Sequence, residues 1–238
     1  MTQPDPSRAS KALLIAIDGP VAVGKSTVGR MVASRLGYRF VDTGTMYRAL
    51  TWKAIQQRIL FDDEAALSRM SANTTFQLTS SGNNGQNNIL MDGKDVSHEV
   101  RPPPVEKSVS LVSKVPEVRE SLVRHQRRIA QDGRLVMAGR DIGTVVLPQA
   151  ELKIFLAASP LERARRRYQE LLAQSEKANF EEVLSDLQSR DDMDIHRQAS
   201  PLKPATDAYI LDTEGLSAEQ VANKICALAL GKSPSETC

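Results

Sequence analysis

The octet Gly19-Pro20-Val21-Ala22-Val23-Gly24-Lys25-Ser26 constrains this chain more than any other stretch. It matches the pattern G-x-x-x-x-G-K-S/T without a mismatch. An apolar run, Ala12–Ile17, precedes it, and a helical pattern starts near Gly24. Such a pattern works only as a strand–loop–helix unit. The glycines let backbone N–H groups turn inward around a phosphate chain. The helix N-terminus adds partial positive charge at the same point. Lys25 is then within reach of β- and γ-phosphates, Ser26 offers a hard hydroxyl oxygen suited to Mg²⁺, and Thr27 follows near the α-phosphate. The chain is expected to bind a nucleoside triphosphate.

Five apolar runs read as strands: Ala12–Ile17, Arg39–Val41, Arg134–Ala138, Leu152–Ala157 and Ala208–Leu211. They alternate with helical patterns, which predicts βαβ units and a parallel sheet covered on both faces. Ser159-Pro160-Leu161-Glu162 combines an N-cap serine, a proline at the first helical position and a glutamate at the third. Ser217 and Gln220 form a second capping box, ahead of an apolar face built by Val221, Ile225 and Leu228. Two stretches depart from the pattern. Residues 72–100 read as an antiparallel insertion with a hairpin turn at Met91-Asp92-Gly93-Lys94. Residues 160–203 carry eight Lys/Arg and nine Asp/Glu, so they bury little and can move. Residues 1–10 and 233–238 read as flexible tails.

Charge and composition exclude several classes. Lys plus Arg is 31 and Asp plus Glu is 29, so bulk attraction to nucleic acid is not expected. Five Phe, four Tyr and one Trp give little platform for base stacking. Two cysteines, Cys226 and Cys238, are too few for a disulfide scaffold or a cysteine-rich zinc site. No apolar run is long enough to span a membrane and the N-terminus has no secretory pattern, so a cytoplasmic protein is expected, with a monomer as the default. His98 and His125 read as surface residues.

The fate of the triphosphate is a separate question. A GTPase would carry Asn-Lys-x-Asp, whereas Asn223-Lys224-Ile225-Cys226 lacks the aspartate. A motor ATPase would place paired acids after an apolar strand, but Leu135–Ala138 runs into Gly139-Arg140-Asp141. A small-molecule kinase needs a second anion site and a lid that excludes water. The run Asp42-Thr43-Gly44-Thr45-Met46-Tyr47-Arg48 follows the second strand, with Thr43 as the expected N-cap. Gly139-Arg140-Asp141-Ile142-Gly143-Thr144 follows the third. Loops after parallel strands gather at one sheet edge, so both should face the phosphate loop. Each also has a plain reading: a capped helix with a surface arginine, and a salt-bridged loop. The arginines at 163, 165, 166 and 167, with Arg190-Asp191-Asp192-Met193-Asp194-Ile195-His196-Arg197, suit a closing lid or a solvated helical hairpin.

Taken together, the segments IAIDGPVAVGKST, FVDTGTMYRAL, AGRDIGTVV, KIFLAASPLERARRR and SRDDMDIHRQASPLKPATDA resemble the bacterial cytidylate kinase family, from about Leu13 to Leu230. The resemblance implies an α/β fold of the P-loop nucleoside triphosphate hydrolase type. That is a three-layer sandwich around a five-stranded parallel sheet, with monophosphate-binding and lid insertions. Its core would be 11–45, 112–159 and 204–232, its monophosphate-binding part 46–111, its lid 160–203. It implies ATP with Mg²⁺ as donor, held by Gly19, Pro20, Val21, Ala22, Val23, Gly24, Lys25, Ser26 and Thr27, with Arg163 and Arg167 from the lid and Ser26 toward the metal. It places CMP or dCMP among Asp42, Thr43, Tyr47, Arg48, Ser110, Arg119, Arg140, Asp141, Arg190, Asp194 and Arg197. Ser110, Arg119 and Asp141 would read cytosine. Lys25, Arg140, Arg190 and Arg197 would carry the catalysis. The chain departs from the family in Thr43, which stands where serine is frequent, and in the proline-rich run Arg101-Pro102-Pro103-Pro104, expected to stiffen the exit from the insertion.

Overall fold

The computed structural model describes residues 13–80, 87–97, 99–100, 102–174 and 177–231. Both predicted tails, His98, Arg101 and Cys238 lie outside these residues. In chain order the elements are β1 (Leu14–Asp18), α1 (Lys25–Leu36), β2 (Arg39–Asp42), α2 (Thr43–Gln56), α3 (Glu64–Ala72), β3 (Phe76–Ser80), β4 (Asn87–Met91) and β5 (Lys94–Asp95). Then follow α4 (Pro103–Ser113), α5 (Pro116–Ala130), β6 (Leu135–Gly139), β7 (Leu152–Ala157), α6 (Pro160–Ala173), α7 (Phe180–His196), β8 (Tyr209–Asp212) and α8 (Ala218–Ala229). A single π-helical turn, Ile142–Val146, follows β6.

Five strands form one parallel sheet in the order β2-β6-β1-β7-β8. Its interior strands are apolar on both faces, and the side-chain period of two divides them between two cores. Ile15, Ile17, Val136 and Ala138 point toward α1 and α8, where they meet Val28, Val32, Val221 and Ile225. Ala16, Leu135 and Met137 point the other way, toward Val123 of α5 and Ile142 and Val146 of the π turn. That makes the three-layer sandwich expected from the sequence.

The strands run one residue further than the apolar runs suggest. β1, β2, β6 and β8 end on Asp18, Asp42, Gly139 and Asp212, and the ladder still pairs Asp18 with Gly139 and Asp42 with Ala138. The reading from hydropathy stopped at the last apolar side chain, whereas backbone pairing is indifferent to side-chain polarity. The same shift corrects the cap of α2. Asp42 is the N-cap and its Oδ1 accepts from the Gly44 N–H at 2.9 Å. Thr43 is the first helical residue, and its buried hydroxyl donates to the Ala138 carbonyl at 2.9 Å.

The insertion is a three-stranded antiparallel sheet, β3-β4-β5. Its turn carries Asp92 at φ 51° and Gly93 at φ 78°, the left-handed pair that a tight hairpin requires. This small sheet shares a third core with the helices around it: Leu50 of α2, Leu67 of α3, Phe76, Ile89 and Met91 of the sheet, and Val112 and Leu122 of α4 and α5. His125, read as a surface residue, is half-buried. Its ring packs edge-on against Phe76, centroids 5.6 Å apart, and ties α5 to the sheet. Pro102 caps α4 while Pro103 and Pro104 occupy its first turn, where a missing N–H costs nothing.

α6 and α7 pair as a helical hairpin. The predicted caps are present: Ser159 accepts from Glu162 N–H, and Ser217 and Gln220 complete a reciprocal capping box. No helix among the described residues is long and apolar enough to cross a membrane.

Candidate active site

The C-terminal ends of β1, β2 and β6 open into one cleft of about 1080 Å³, roofed by α4, α6 and α7. Its lining holds nine Lys/Arg against five Asp/Glu. The overall charge of the chain is close to balance, so this excess is a property of the cleft alone.

On one side lies the phosphate loop. A Cβ on Gly19 would stand 2.5 Å from the Leu156 carbonyl oxygen, so only glycine lets the loop pass β7. Lys25 folds back along the loop, its ammonium donating to the carbonyls of Gly19 and Pro20 at 2.8 and 2.6 Å. Burial and the facing Arg140 guanidinium push that ammonium well below its ordinary pKa. Ser26 Oγ donates to Asp42 Oδ2 at 2.7 Å. Burial raises the Asp42 carboxyl, but Arg48, Ser26 and Lys25 together hold it below its ordinary value.

Facing the loop is a layered set of ion pairs. Asp141 and Arg119 meet at 2.6 Å, their side chains 5% and 3% exposed. Arg119 also donates to the Ser113 carbonyl at 3.1 Å and lies over the Tyr47 ring, 5.1 Å from its centroid. Burial pushes the Tyr47 phenol up to about 12. Arg140 Nε donates to Asp194 Oδ2 at 2.8 Å, and Arg197 Nη1 to Asp194 Oδ1 at 3.0 Å. One carboxylate thereby orders two arginines, which outweigh its burial and keep it ionised. Arg197 Nη2 is buried with no hydrogen-bond partner. Arg190 reaches Glu106 of α4 at 2.8 Å. Arg48 sits beside Asp42 at 3.6 Å. Ser110 on α4 also lines the cleft.

The chain that builds this charged, two-sided cleft is matched by the cytidylate kinase family model over residues 15–230. The chain belongs to the cytidylate kinase family. It is 48% identical over 213 residues to the cytidylate kinase of Pelotomaculum thermopropionicum, covering 90% of this chain and 94% of that one. It is 49% identical over 211 residues to that of a Geobacillus species, covering 89% and 93%. A solved structure of an uncharacterized protein from Eubacterium ventriosum shares the fold, with a TM-score of 0.51 at 11% identity, over 93% of this chain and all of that one.

Within this cytidylate kinase family member, residues 21–27 of the phosphate loop line the cleft together with Asp42, Thr43, Tyr47, Arg48, Ser110, Arg119, Arg140, Asp141, Arg167, Arg190, Asp194 and Arg197. Gly19 and Pro20 contribute carbonyls to Lys25 from behind. Arg167 pairs with Glu170 at the rim. Arg163 sits elsewhere: it is buried under the loop, donating to the Val21 carbonyl and paired with Asp191. Three contributors escaped sequence reasoning. Asp18 accepts from the N–H groups of Ile142 and Gly143 at 2.8 and 2.7 Å and so fixes the turn that follows Arg140-Asp141. Burial pushes its carboxyl up to about 6. The signal was available, since Asp18 follows an apolar run directly, as Asp42 and Asp212 do. Glu106 and Asp191 carry no comparable signal, because nothing local marks either acid as inward-facing.

Proposed function

We infer that this enzyme transfers the γ-phosphoryl group of ATP to the phosphate of CMP or dCMP, giving CDP or dCDP and ADP. The observation that carries this reading is the cleft itself. It holds a phosphate loop on one wall and, on the other, buried arginines with donors to spare, of which Arg197 Nη2 is the clearest.

ATP lies along residues 19–27, and the monophosphate lies between the α2 end of β2 and the Arg119–Asp141 pair. Asp141, Arg119 and Ser110 offer an acceptor, a fork of donors and a hydroxyl to the base edge; cytosine presents an amino donor beside two acceptors. Arg48, Arg140 and Arg197 receive the acceptor phosphate, while Arg190 and Asp194 meet the sugar. An oxygen of the acceptor phosphate is ionised near neutral pH, so it attacks the γ-phosphorus without a general base. A new P–O bond forms as the bond from the γ-phosphorus to the bridging oxygen breaks, and ADP leaves with that electron pair. Lys25 and the arginines offset the charge on the transferring group, which is most of what such a reaction needs from protein. The α6–α7 hairpin excludes water, the competing acceptor.

The Ser26 hydroxyl and Asp42 carboxylate, adjacent and both oxygen donors, suit a Mg²⁺ ion that arrives with the triphosphate. No group of three His, Cys, Asp or Glu side chains able to hold a metal occurs among the described residues. Held by Ser26 and Asp42, such an ion would supply charge neutralisation to the triphosphate.

A coupled ADP-release assay over CMP, dCMP, UMP, AMP, GMP and shikimate tests the reading. CMP and dCMP should lead the panel. Turnover of UMP or shikimate at an equal kcat/KM would overturn it.

A further inference from the structure

The helical hairpin is joined to the phosphate loop at one residue. The Val21 carbonyl accepts from Arg163 Nη1 at 3.0 Å, and the Val21 N–H donates to Asp191 Oδ1 at 3.3 Å. Arg163 and Asp191 themselves pair at 2.6 Å, with side chains 4% and 12% exposed. Arg163 Nε is anchored to the Ala158 carbonyl at the end of β7. Both polar groups of Val21 are thus held by a single buried ion pair, one partner from α6 and one from α7. The next residue, Ala22, has φ 58°, a conformation uncommon outside glycine that persists only where the surroundings hold it.

Asp191 also fixes where α7 stands. Arg190 and Asp194, four residues apart, share the face that meets Glu106 and Arg140. Asp191 is one residue on and turned to the phosphate loop. One helix therefore touches the donor side through Asp191 and the acceptor side through Arg190 and Asp194.

We propose that Arg163 and Asp191 are positioning residues for phosphoryl transfer, which hold the acceptor-side arginines in register with the phosphate loop by clamping Val21. They act through the loop backbone and through α7, and they touch neither nucleotide. The proposal rests on reading residues 19–27 as the ATP side.

The test compares Arg163→Met, Asp191→Asn, their combination and the control Asp192→Asn, whose side chain is 72% exposed and bonded only to His196. Misplacement without lost contacts lowers kcat: each single variant should lose about 10- to 100-fold in kcat, with KM for ATP and for CMP shifting less than about threefold. The double variant should be little worse than the poorer single, because the two form one unit. Asp192→Asn should match wild type. Amide hydrogen exchange supplies a second readout. ADP should slow exchange in both the phosphate loop and Phe180–His196 of wild type, and in the variants only in the phosphate loop. Asp191→Asn keeps side-chain size, so it carries the test if Arg163→Met does not fold. The proposal is overturned if the variants keep wild-type kcat, or if Arg163→Met raises KM for ATP about tenfold while Asp191→Asn does not, which would make Arg163 a nucleotide ligand. It is equally overturned if ADP protects the loop of wild type but leaves α7 unchanged. If ADP protects neither, the ATP-side reading falls with it.

Discussion

Lys25 and Asp141 show what a single side chain does in this site. Lys25 is held by two loop carbonyls, and burial and the facing Arg140 push its ammonium below its ordinary pKa. Lys25→Met should keep the fold and lose about 100-fold or more in kcat, read in the ADP-release assay beside an unchanged circular dichroism spectrum; wild-type turnover would sink the mechanism. Asp141 pairs with Arg119 and, in the function proposed above, also reads the base. Its pairing with Arg119 is buried, so Asp141→Ala strands a cation and should cost about 3 kcal/mol in urea unfolding. Asp141→Asn keeps the size, and its amide no longer acts as acceptor only. In that variant KM should rise more for CMP than for UMP; equal rises would leave Asp141 a purely structural partner. The sequence exposed Asp141 because it adjoins Arg140 at a strand end. It did not expose the pairing with Arg119, which lies 22 positions away.

Elements repeat this division. Local chemistry that lies within four residues was legible: the Ser159 cap, the Ser217–Gln220 box and the Asp92-Gly93 turn all form as read. α8 depends on that box, since its apolar face packs on the sheet and its first turn has no other side-chain cap. Ser217→Ala should destabilise the protein by about 1 kcal/mol; thermal unfolding checks it, and an unshifted midpoint would show that packing alone sets the start of α8. Strand ends were less legible. Asp18, Asp42 and Asp212 look like loop residues by hydropathy, yet the ladder carries them, and this places Asp42 at the cleft and Asp18 against the Ile142–Gly143 turn. Thr43 lost its expected capping role for the same reason.

At the scale of the whole molecule, the site is a charge arrangement that stability must tolerate. Asp42, Glu106 and Asp194 are held below their ordinary values by arginine neighbours that outweigh burial. Their stabilisation is full above the unfolded carboxyl range, about pH 4, and is lost as pH falls through the folded values. Asp18 runs the other way. Its folded pKa, about 6 against 3.8, makes its contribution full at low pH and lost as pH rises through that value. Urea unfolding from about pH 5 to pH 3 should therefore show falling stability, with a smaller fall in Asp194→Asn because one linked carboxylate is gone. A parallel fall in that variant would mean Asp194 is not coupled to the fold.

The phosphate loop, the parallel α/β core and the segments that gather at its edge are legible in the amino-acid sequence, because they follow from backbone geometry, hydropathy period and short-range caps. The partner of each charge is set by the folded packing: Asp194 shared by Arg140 and Arg197, Glu106 taken by Arg190, and Arg163 turned under the loop to Asp191 and Val21. Long charged side chains choose partners by burial and distance across elements. Neither is encoded in the spacing of residues along one helix.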